Sequence, residues 1–126
     1  FDEAAPASDV AAIIIEPLQG EGGFIPAPIA WVKAIRKICD ENGILLIADE
    51  VQCGNCRTGK YFASEYWKEA GAAPDIITTA KSLGAGLPIS AITARIKRSV
   101  KRIADKQTIE QKSRFTADEQ QAKKGV

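Results

Sequence analysis

Histidine and methionine are absent from this 126-residue sequence, and aromatic residues make up only 6% of it. Without histidine, neither a Ser-His-Asp triad nor a Cys-His pair can be assembled from this chain alone. A zinc site would have to use cysteine and carboxylate ligands only. We therefore predict no metal site, and several common hydrolase mechanisms are excluded for the chain by itself.

Long apolar runs are also missing, since no stretch approaches the roughly 20 apolar residues that span a bilayer. The acidic opening Phe1-Asp2-Glu3 is unlike a signal peptide. Three cysteines are an odd number, and two of them, Cys53 and Cys56, are close together, which argues against a secreted disulfide framework. We expect a cytoplasmic protein that makes no contact with a membrane.

Charge is divided unevenly along the chain, although the net charge is only +1. Residues 1–94 hold 7 Lys/Arg against 12 Asp/Glu, a net of −5, and residues 95–126 hold 10 against 4, a net of +6. We expect an approach segment over 1–9, a folded domain over 10–95 and a basic polar tail over 96–126. The small total gives no reason to expect nucleic acid. A nucleic-acid or partner-binding arm is the alternative interpretation of the tail.

Three short apolar runs each stop at an ionisable side chain. The runs cover residues 11–15, 44–48 and 76–80, and the side chains that follow are Glu16, Asp49 and Lys81. Unbroken apolar runs of this length are typical of parallel strands buried on both faces. A fourth strand, over residues 89–94, follows a turn too short for a helical crossover, so it should run antiparallel to its neighbour.

Two helices are predicted between these strands. Pro28 and Gly43 bracket the first, whose apolar face holds Ile29, Val32, Ile35, Ile38 and Cys39. The second should run from Phe62 to Ala70 with Phe62, Tyr66 and Ala70 facing inward. A weaker helical stripe, formed by Val100, Ile103 and Ala104, lies in the tail. The fold class is thus α/β, with a mixed, mostly parallel sheet whose last strand is antiparallel.

Asp49 and Lys81 are the candidate chemical groups. In a parallel sheet the carboxyl ends of the strands share one edge, and ligands bind in the crevice there. A buried carboxylate and a buried amine each cost free energy, so they indicate either a direct ion pair or a charged ligand between them. A pyridine cofactor with an aldehyde would suit both groups. Strands also end in such residues simply because the chain leaves the core.

The sequence resembles the class III pyridoxal-phosphate aminotransferases, the 4-aminobutyrate type in particular, from about Val10 to Arg95. The resemblance is carried by five motifs in order: Ile15-Glu16-Pro17-Leu18-Gln19-Gly20-Glu21-Gly22-Gly23, Ala48-Asp49-Glu50-Val51-Gln52, Arg57-Thr58-Gly59, Ala73-Pro74-Asp75, and Ala80-Lys81-Ser82 before a Gly-rich turn. It implies part of a fold type I large domain that uses pyridoxal 5'-phosphate. Complete enzymes of this type are expected to be homodimers that exchange an amino group between an amine, such as 4-aminobutyrate, and a 2-oxo acid.

The resemblance also implies roles for single residues. Lys81 matches the lysine that holds the cofactor as a Schiff base and moves the substrate proton, and Asp49 matches the partner of the pyridinium nitrogen. Val51 matches the residue packed on the ring, and Gln52 the one bonded to its 3-hydroxyl. Glu21 resembles the carboxylate that gates the substrate site by pairing with a distant arginine.

Two departures from the family stand out. Cys56 occupies a position that is normally glycine, and at positive φ a cysteine there would cost on the order of 1 kcal/mol. The Cys53-x-x-Cys56 spacing leaves open a redox pair or half of a metal site.

The family's upstream phosphate-binding loop is absent, so we expect a fragment without transaminase activity of its own. The rival hypothesis is a non-catalytic folded remnant with exposed sheet edges.

Overall fold

A computed structural model of the chain describes residues 5–95, which belong to the first of two units, Phe1–Arg95 and Ile96–Val126. The helical stripe predicted around Val100 lies outside the described residues. The described elements are, in chain order, β1 (Ala12–Ile15), β2 (Leu18–Gln19), β3 (Ile25–Pro26), α1 (Ile29–Asn42), β4 (Leu45–Asp49), α2 (Glu65–Glu69), β5 (Ile76–Thr79) and β6 (Ala91–Ala94), with 3-10 turns at Ala7–Asp9 and Lys81–Gly84.

Four strands form the main sheet in the order β1-β4-β5-β6. β4 pairs in parallel with β1 and with β5, and β6 pairs antiparallel with β5. The predicted α/β class and the antiparallel last strand are therefore confirmed. Because β4 and β5 are parallel neighbours, their carboxyl ends lie at the same edge of the sheet.

Helix α1 has the boundaries that its sequence predicts. Pro28 precedes its first residue with extended backbone angles, and Gly43 ends it in the left-handed conformation at φ 66°, with its N–H donated to the carbonyl of Cys39. Val32 and Cys39 are buried as expected. Ile29 is exposed, and Arg36, which is outside the predicted apolar face, is buried instead.

Arg36 is buried because it has a carboxylate partner across the core. Its Nη1 lies 2.7 Å from Oδ2 of Asp75, which also accepts the backbone N–H of Leu46 at 3.0 Å. Burial lowers the pKa of Arg36, and the bond and charge of Asp75 outweigh that effect, so the pKa is raised overall. The pair fixes α1 against the segment between α2 and β5.

Only one face of the sheet is covered by helices within residues 5–95. Val32 of α1 and Trp67 of α2 pack with Ala48 of β4, so both helices lie on the same side. The expectation that the first strand is buried on both faces was wrong, because Ile14 points to the other side and is 60% exposed. β1 and β6 are the edge strands of the sheet, and β6 is exposed along its whole length.

The second helix is shorter and rotated relative to the prediction. It covers Glu65–Glu69, and its buried residue is Trp67, at 2% exposure, whereas Tyr66 is 43% exposed. The physical reason is that the backbone before the helix bonds to a side chain instead of continuing the helix. The N–H groups of Ala63 and Ser64 donate to the buried carboxylate of Glu50 at 2.6 and 2.8 Å.

A two-stranded hairpin was missed from the sequence. β2 and β3 pair antiparallel, and the turn Gly20–Gly23 joins them. Each strand has only two residues, which is too short to show an alternating pattern. Among residues 5–95, no helix has the length and the apolar character that crossing a bilayer requires.

Candidate functional site

Asp49 ends β4 as predicted, and its carboxylate is held in place by two neighbours. Oδ1 accepts the backbone N–H of Val51 at 3.1 Å and the hydroxyl of Thr78 at 3.2 Å. Thr78 is also the residue that faces Asp49 in the pairing of β4 with β5. The half-buried carboxylate is thus oriented by the backbone after β4 and by the adjacent strand.

Lys81 lies two residues after the end of β5, at the start of the 3-10 turn. Its Nζ donates to Oε1 of Gln52 at 2.9 Å. Among the ion pairs formed within residues 5–95, none joins Asp49 to Lys81. Of the two arrangements that the sequence allowed, the direct ion pair is therefore not formed.

A cleft of about 350 Å³ opens beside the Lys81 amine, and the hairpin forms its opposite wall. That volume is within the range of small-molecule sites. Its lining residues are Leu18, Gly20, Phe24, Gln52, Cys53, Arg57 and Lys81. The wall is mainly apolar, and its polar groups are the lysine amine, one amide and one guanidinium.

Gly20 lets the hairpin approach Gln52 closely. A Cβ atom at position 20 would lie 2.3 Å from the side-chain carbon of Gln52, so any larger residue would displace that amide. The backbone N–H of Gly20 donates to the Glu16 carboxylate at 3.0 Å, which fixes the start of the turn. The hairpin therefore sets the position of the group to which the Lys81 amine is bonded.

Not all predicted site residues line this cleft. Gln52 and Lys81 do, whereas Asp49 and Val51 are half-buried beside it and are not among the lining side chains. Glu21 is exposed on the hairpin turn. Phe24 and Arg57 were missed, although Arg57 belongs to a quoted motif and Phe24 directly follows another.

Glu50 directly follows β4 and begins the loop that carries Gln52. It is fully buried, and its carboxylate accepts the two N–H groups that precede α2. Gly54 packs against it, because a Cβ at position 54 would lie 2.8 Å from the backbone oxygen of Glu50. These contacts hold both ends of the loop that carries Gln52.

Cys53 and Cys56 are free thiols in different surroundings. Cys53 is buried, and burial raises the pKa of its thiol. Cys56 is exposed and has φ 68°. The positive φ at which a cysteine would carry an energetic cost is therefore present at this position. Within residues 5–95, no group of three or more His, Cys, Asp or Glu is arranged to hold a metal ion.

The cleft suits a flat aromatic aldehyde. Leu18 and Phe24 provide apolar surface for a ring, and the Lys81 amine at the cleft is a nucleophile for a carbonyl carbon. Gln52 adds a side-chain amide that can bond a ring hydroxyl. These lining residues fit the aldehyde and the ring of pyridoxal 5'-phosphate, whereas Asp49, the residue expected at the ring nitrogen, is not among the side chains that line the cleft.

The fold places a candidate ligand cleft at the carboxyl ends of parallel strands, and the sequence comparisons identify the family. The family model described as "Aminotransferase class-III" matches residues 3–108. The chain therefore belongs to the class-III aminotransferase family, whose members depend on pyridoxal phosphate.

Curated relatives carry several substrate names. The chain is 53% identical over 92 residues to an acetylornithine aminotransferase of Rhodobacter capsulatus, covering 73% of this chain and 23% of that protein. It is 52% identical to the 5-aminovalerate aminotransferase of Pseudomonas putida, covering 75% of this chain and 22% of that protein. It is also 52% identical to the 4-aminobutyrate aminotransferase of Escherichia coli, covering 75% of this chain and 21% of that protein. The chain thus spans less than a quarter of the length of these relatives.

Solved structures support the same family. N-acetylornithine aminotransferase from Stenotrophomonas maltophilia matches with a TM-score of 0.67 at 43% identity, over 76% of this chain and 25% of that one. A structure of the omega transaminase from Pseudomonas jessenii in complex with PMP matches with a TM-score of 0.63 at 41% identity. The match covers 79% of this chain and 21% of that one.

Proposed function

We propose that this chain is the cofactor-anchoring part of an aminotransferase that moves an amino group between an amine, such as 4-aminobutyrate, and a 2-oxo acid. The observation that carries the proposal is the Lys81 amine, bonded to Gln52 at the wall of an apolar cleft. Family membership and the relatives' names support the reaction class. Because those relatives are named for different substrates, a preference for 4-aminobutyrate is a proposal.

Pyridoxal 5'-phosphate, when bound, supplies an aldehyde and a conjugated ring that withdraws electrons from the amino-bearing carbon. Lys81 would hold the cofactor through its amine and carry a proton at Nζ. The carbonyl oxygen of Gln52 orients that amine at 2.9 Å.

Asp49 would hold a proton on the ring nitrogen. Its orientation by Val51 and Thr78 supports this role, because a fixed carboxylate needs no reorganisation when the ring becomes cationic. We propose Val51 for contact with the ring face and Gln52 for the 3-hydroxyl. Exposed Glu21, on a glycine-rich turn, remains the proposed gate for the substrate carboxylate.

Covalent trapping tests the proposal. The chain is incubated with pyridoxal phosphate and reduced with borohydride, and the pyridoxyl group is located by peptide mass spectrometry. We expect the label on Lys81 in the unaltered chain and in Lys33→Ala, which removes an exposed lysine of α1. We expect its loss in Lys81→Ala. Label spread over the surface lysines, or an unchanged yield in Lys81→Ala, would contradict the proposal.

Assembly and compartment belong to the same proposal. A homodimer is proposed for the complete protein, and the cytoplasmic compartment and the boundary at Arg95 stay predictions.

A second candidate, a folded remnant without catalytic activity, is favoured by the exposed edge strand β6. An edge strand with unpaired backbone groups promotes self-association.

A further inference from the structure

Two contacts join the loop after β4 to the residues at the start of the 3-10 turn. Oε1 of Gln52 accepts from Nζ of Lys81 at 2.9 Å. Five residues further along the same loop, Nε of Arg57 donates to the hydroxyl of Ser82 at 2.8 Å. The loop therefore binds two consecutive residues at two separate points.

Packing contributes little to the position of the Lys81 segment. None of the residues of the 3-10 turn Lys81–Gly84 is buried. The turn is closed by the N–H of Leu83, which donates to the carbonyl of Ala80 at 2.6 Å, and it ends at Ala85 in the left-handed conformation. Because apolar burial does not fix this segment, its side-chain hydrogen bonds decide where the lysine stands.

The backbone on either side of Arg57 is tied down. The N–H of Cys56 donates to the carbonyl of Tyr61 at 3.2 Å, and the N–H of Gly59 donates to the carbonyl of Cys56 at 3.3 Å. Asn55 and Cys56 both have positive φ, which makes this turn tight. The guanidinium therefore starts from a fixed backbone and spans to a residue 25 positions away.

We propose that Arg57 is a positioning residue for the Lys81 amine, acting through Ser82. The proposal rests on the proposed function, because it assigns Arg57 the task of holding the segment that carries the nucleophile. Arg57 also lines the cleft, so a direct effect of its positive charge on an anionic group is the competing explanation. The two explanations predict different effects of replacing Ser82 on the labelling of Lys81.

A double-mutant cycle on the full chain separates them. The rate of borohydride-trapped labelling at Lys81 is measured in Arg57→Ala, Ser82→Ala and the double variant. We expect each single variant to be slower by roughly two- to tenfold, the range of one hydrogen bond, and the double variant to be no slower than the singles. Ser82→Thr, which keeps the hydroxyl, should restore the rate.

Lys60→Ala is the matched control, because it removes a cation from the same region whose partner is Glu69 and not Ser82. Its labelling rate should equal that of the unaltered chain. Slow labelling of Lys81 in Arg57→Ala, combined with a normal labelling rate in Ser82→Ala, would overturn the proposal in favour of the charge effect. Absence of Lys81 labelling in the unaltered chain would instead count against the proposed function.

Hydrogen exchange without cofactor measures the order of the Lys81 segment independently of labelling. The amide of Leu83 should exchange several-fold faster in Arg57→Ala and in Ser82→Ala, because both release the same turn. Unchanged exchange at residues 80–85 in both variants would overturn the inference.

Discussion

Cys56 occupies a backbone conformation that favours glycine. Its φ of 68° is in the left-handed region, where a Cβ atom crowds the carbonyl oxygen. The neighbouring Asn55 also has positive φ, but asparagine tolerates that region better than cysteine. The turn that carries Arg57 is thus maintained at a local energetic cost.

Replacing Cys56 should show this cost. Cys56→Gly is expected to be more stable than Cys56→Ala by about 1 kcal/mol, because only the alanine variant keeps the Cβ atom. The measurement is the free energy of unfolding from urea denaturation. Since both variants lack the thiol, equal stabilities would show that positive φ carries no penalty at this position.

Glu50 and Asp75 illustrate a second kind of residue-scale contribution. Each is a buried carboxylate that accepts backbone N–H groups from distant parts of the chain. Burying a carboxylate is costly unless such partners compensate it. Neither residue can be recognised as buried from its local sequence, because the backbone N–H groups that it accepts are 13 to 29 positions away.

At the scale of elements, the β2–β3 hairpin controls the site without supplying a charged group to the cleft. Gly20 is close to the Gln52 amide, and that amide is the partner of the Lys81 amine. The Gln52 side chain, in the loop after β4, thus connects the hairpin to the turn after β5. The shape of the hairpin should therefore affect the lysine.

Gly20→Ala tests this linkage. The new methyl group would displace the flexible end of Gln52, so we expect labelling of Lys81 to slow by roughly two- to tenfold. The unfolding free energy should change by less than about 1 kcal/mol, since only a side-chain end has to move. Peptide mass spectrometry after borohydride reduction and urea denaturation provide the two measurements.

Gly22→Ala is the matched control in the same turn. Its Cβ atom would lie 2.5 Å from Oε1 of Gln19, an exposed side chain that can move into solvent. Lys81 labelling should stay at the unaltered rate. An equal slowing in both variants would mean that the turn as a whole, and not the contact with Gln52, governs the lysine.

On the scale of the whole molecule, the described residues form a sheet covered by helices on one face only. Ile14 of β1 and Ile92 of β6 are 60% and 75% exposed, on the two edge strands. The chain spans less than a quarter of the length of its curated relatives. Within residues 5–95, the structure therefore exposes both a sheet edge and apolar side chains.

We expect the isolated chain to self-associate through β6. Ile92→Lys should raise the concentration at which association begins by about tenfold or more, because an exposed edge isoleucine that becomes buried contributes on the order of 2 kcal/mol. Light scattering over a concentration series is the measurement. Leu87→Lys is the control, since it adds the same charge at an exposed position outside the strands.

An equal effect of both variants would indicate general hydrophobic association and not pairing of strand edges. A clean monomer for the unaltered chain at high concentration would contradict the prediction altogether. Such a monomer would also remove the observation that favours a self-associating remnant over a cofactor-binding domain.

The sequence by itself determined the direction of the main strands and the ends of α1. It also determined which ionisable groups follow β4 and β5. These features depend on local signals: unbroken apolar runs, Pro28 and Gly43 at the helix ends, and a turn too short for a crossover before β6. The five motifs were sufficient for the family, because their residues are read directly.

Only the tertiary structure decided which side chains these elements bury and which groups meet. Trp67 is buried where Tyr66 was expected, and the Lys81 amine is bonded to Gln52 and not to Asp49. The contact between Arg57 and Ser82 spans 25 residues. Such contacts have no periodic signature in the sequence, because they depend on how the elements pack against one another in space.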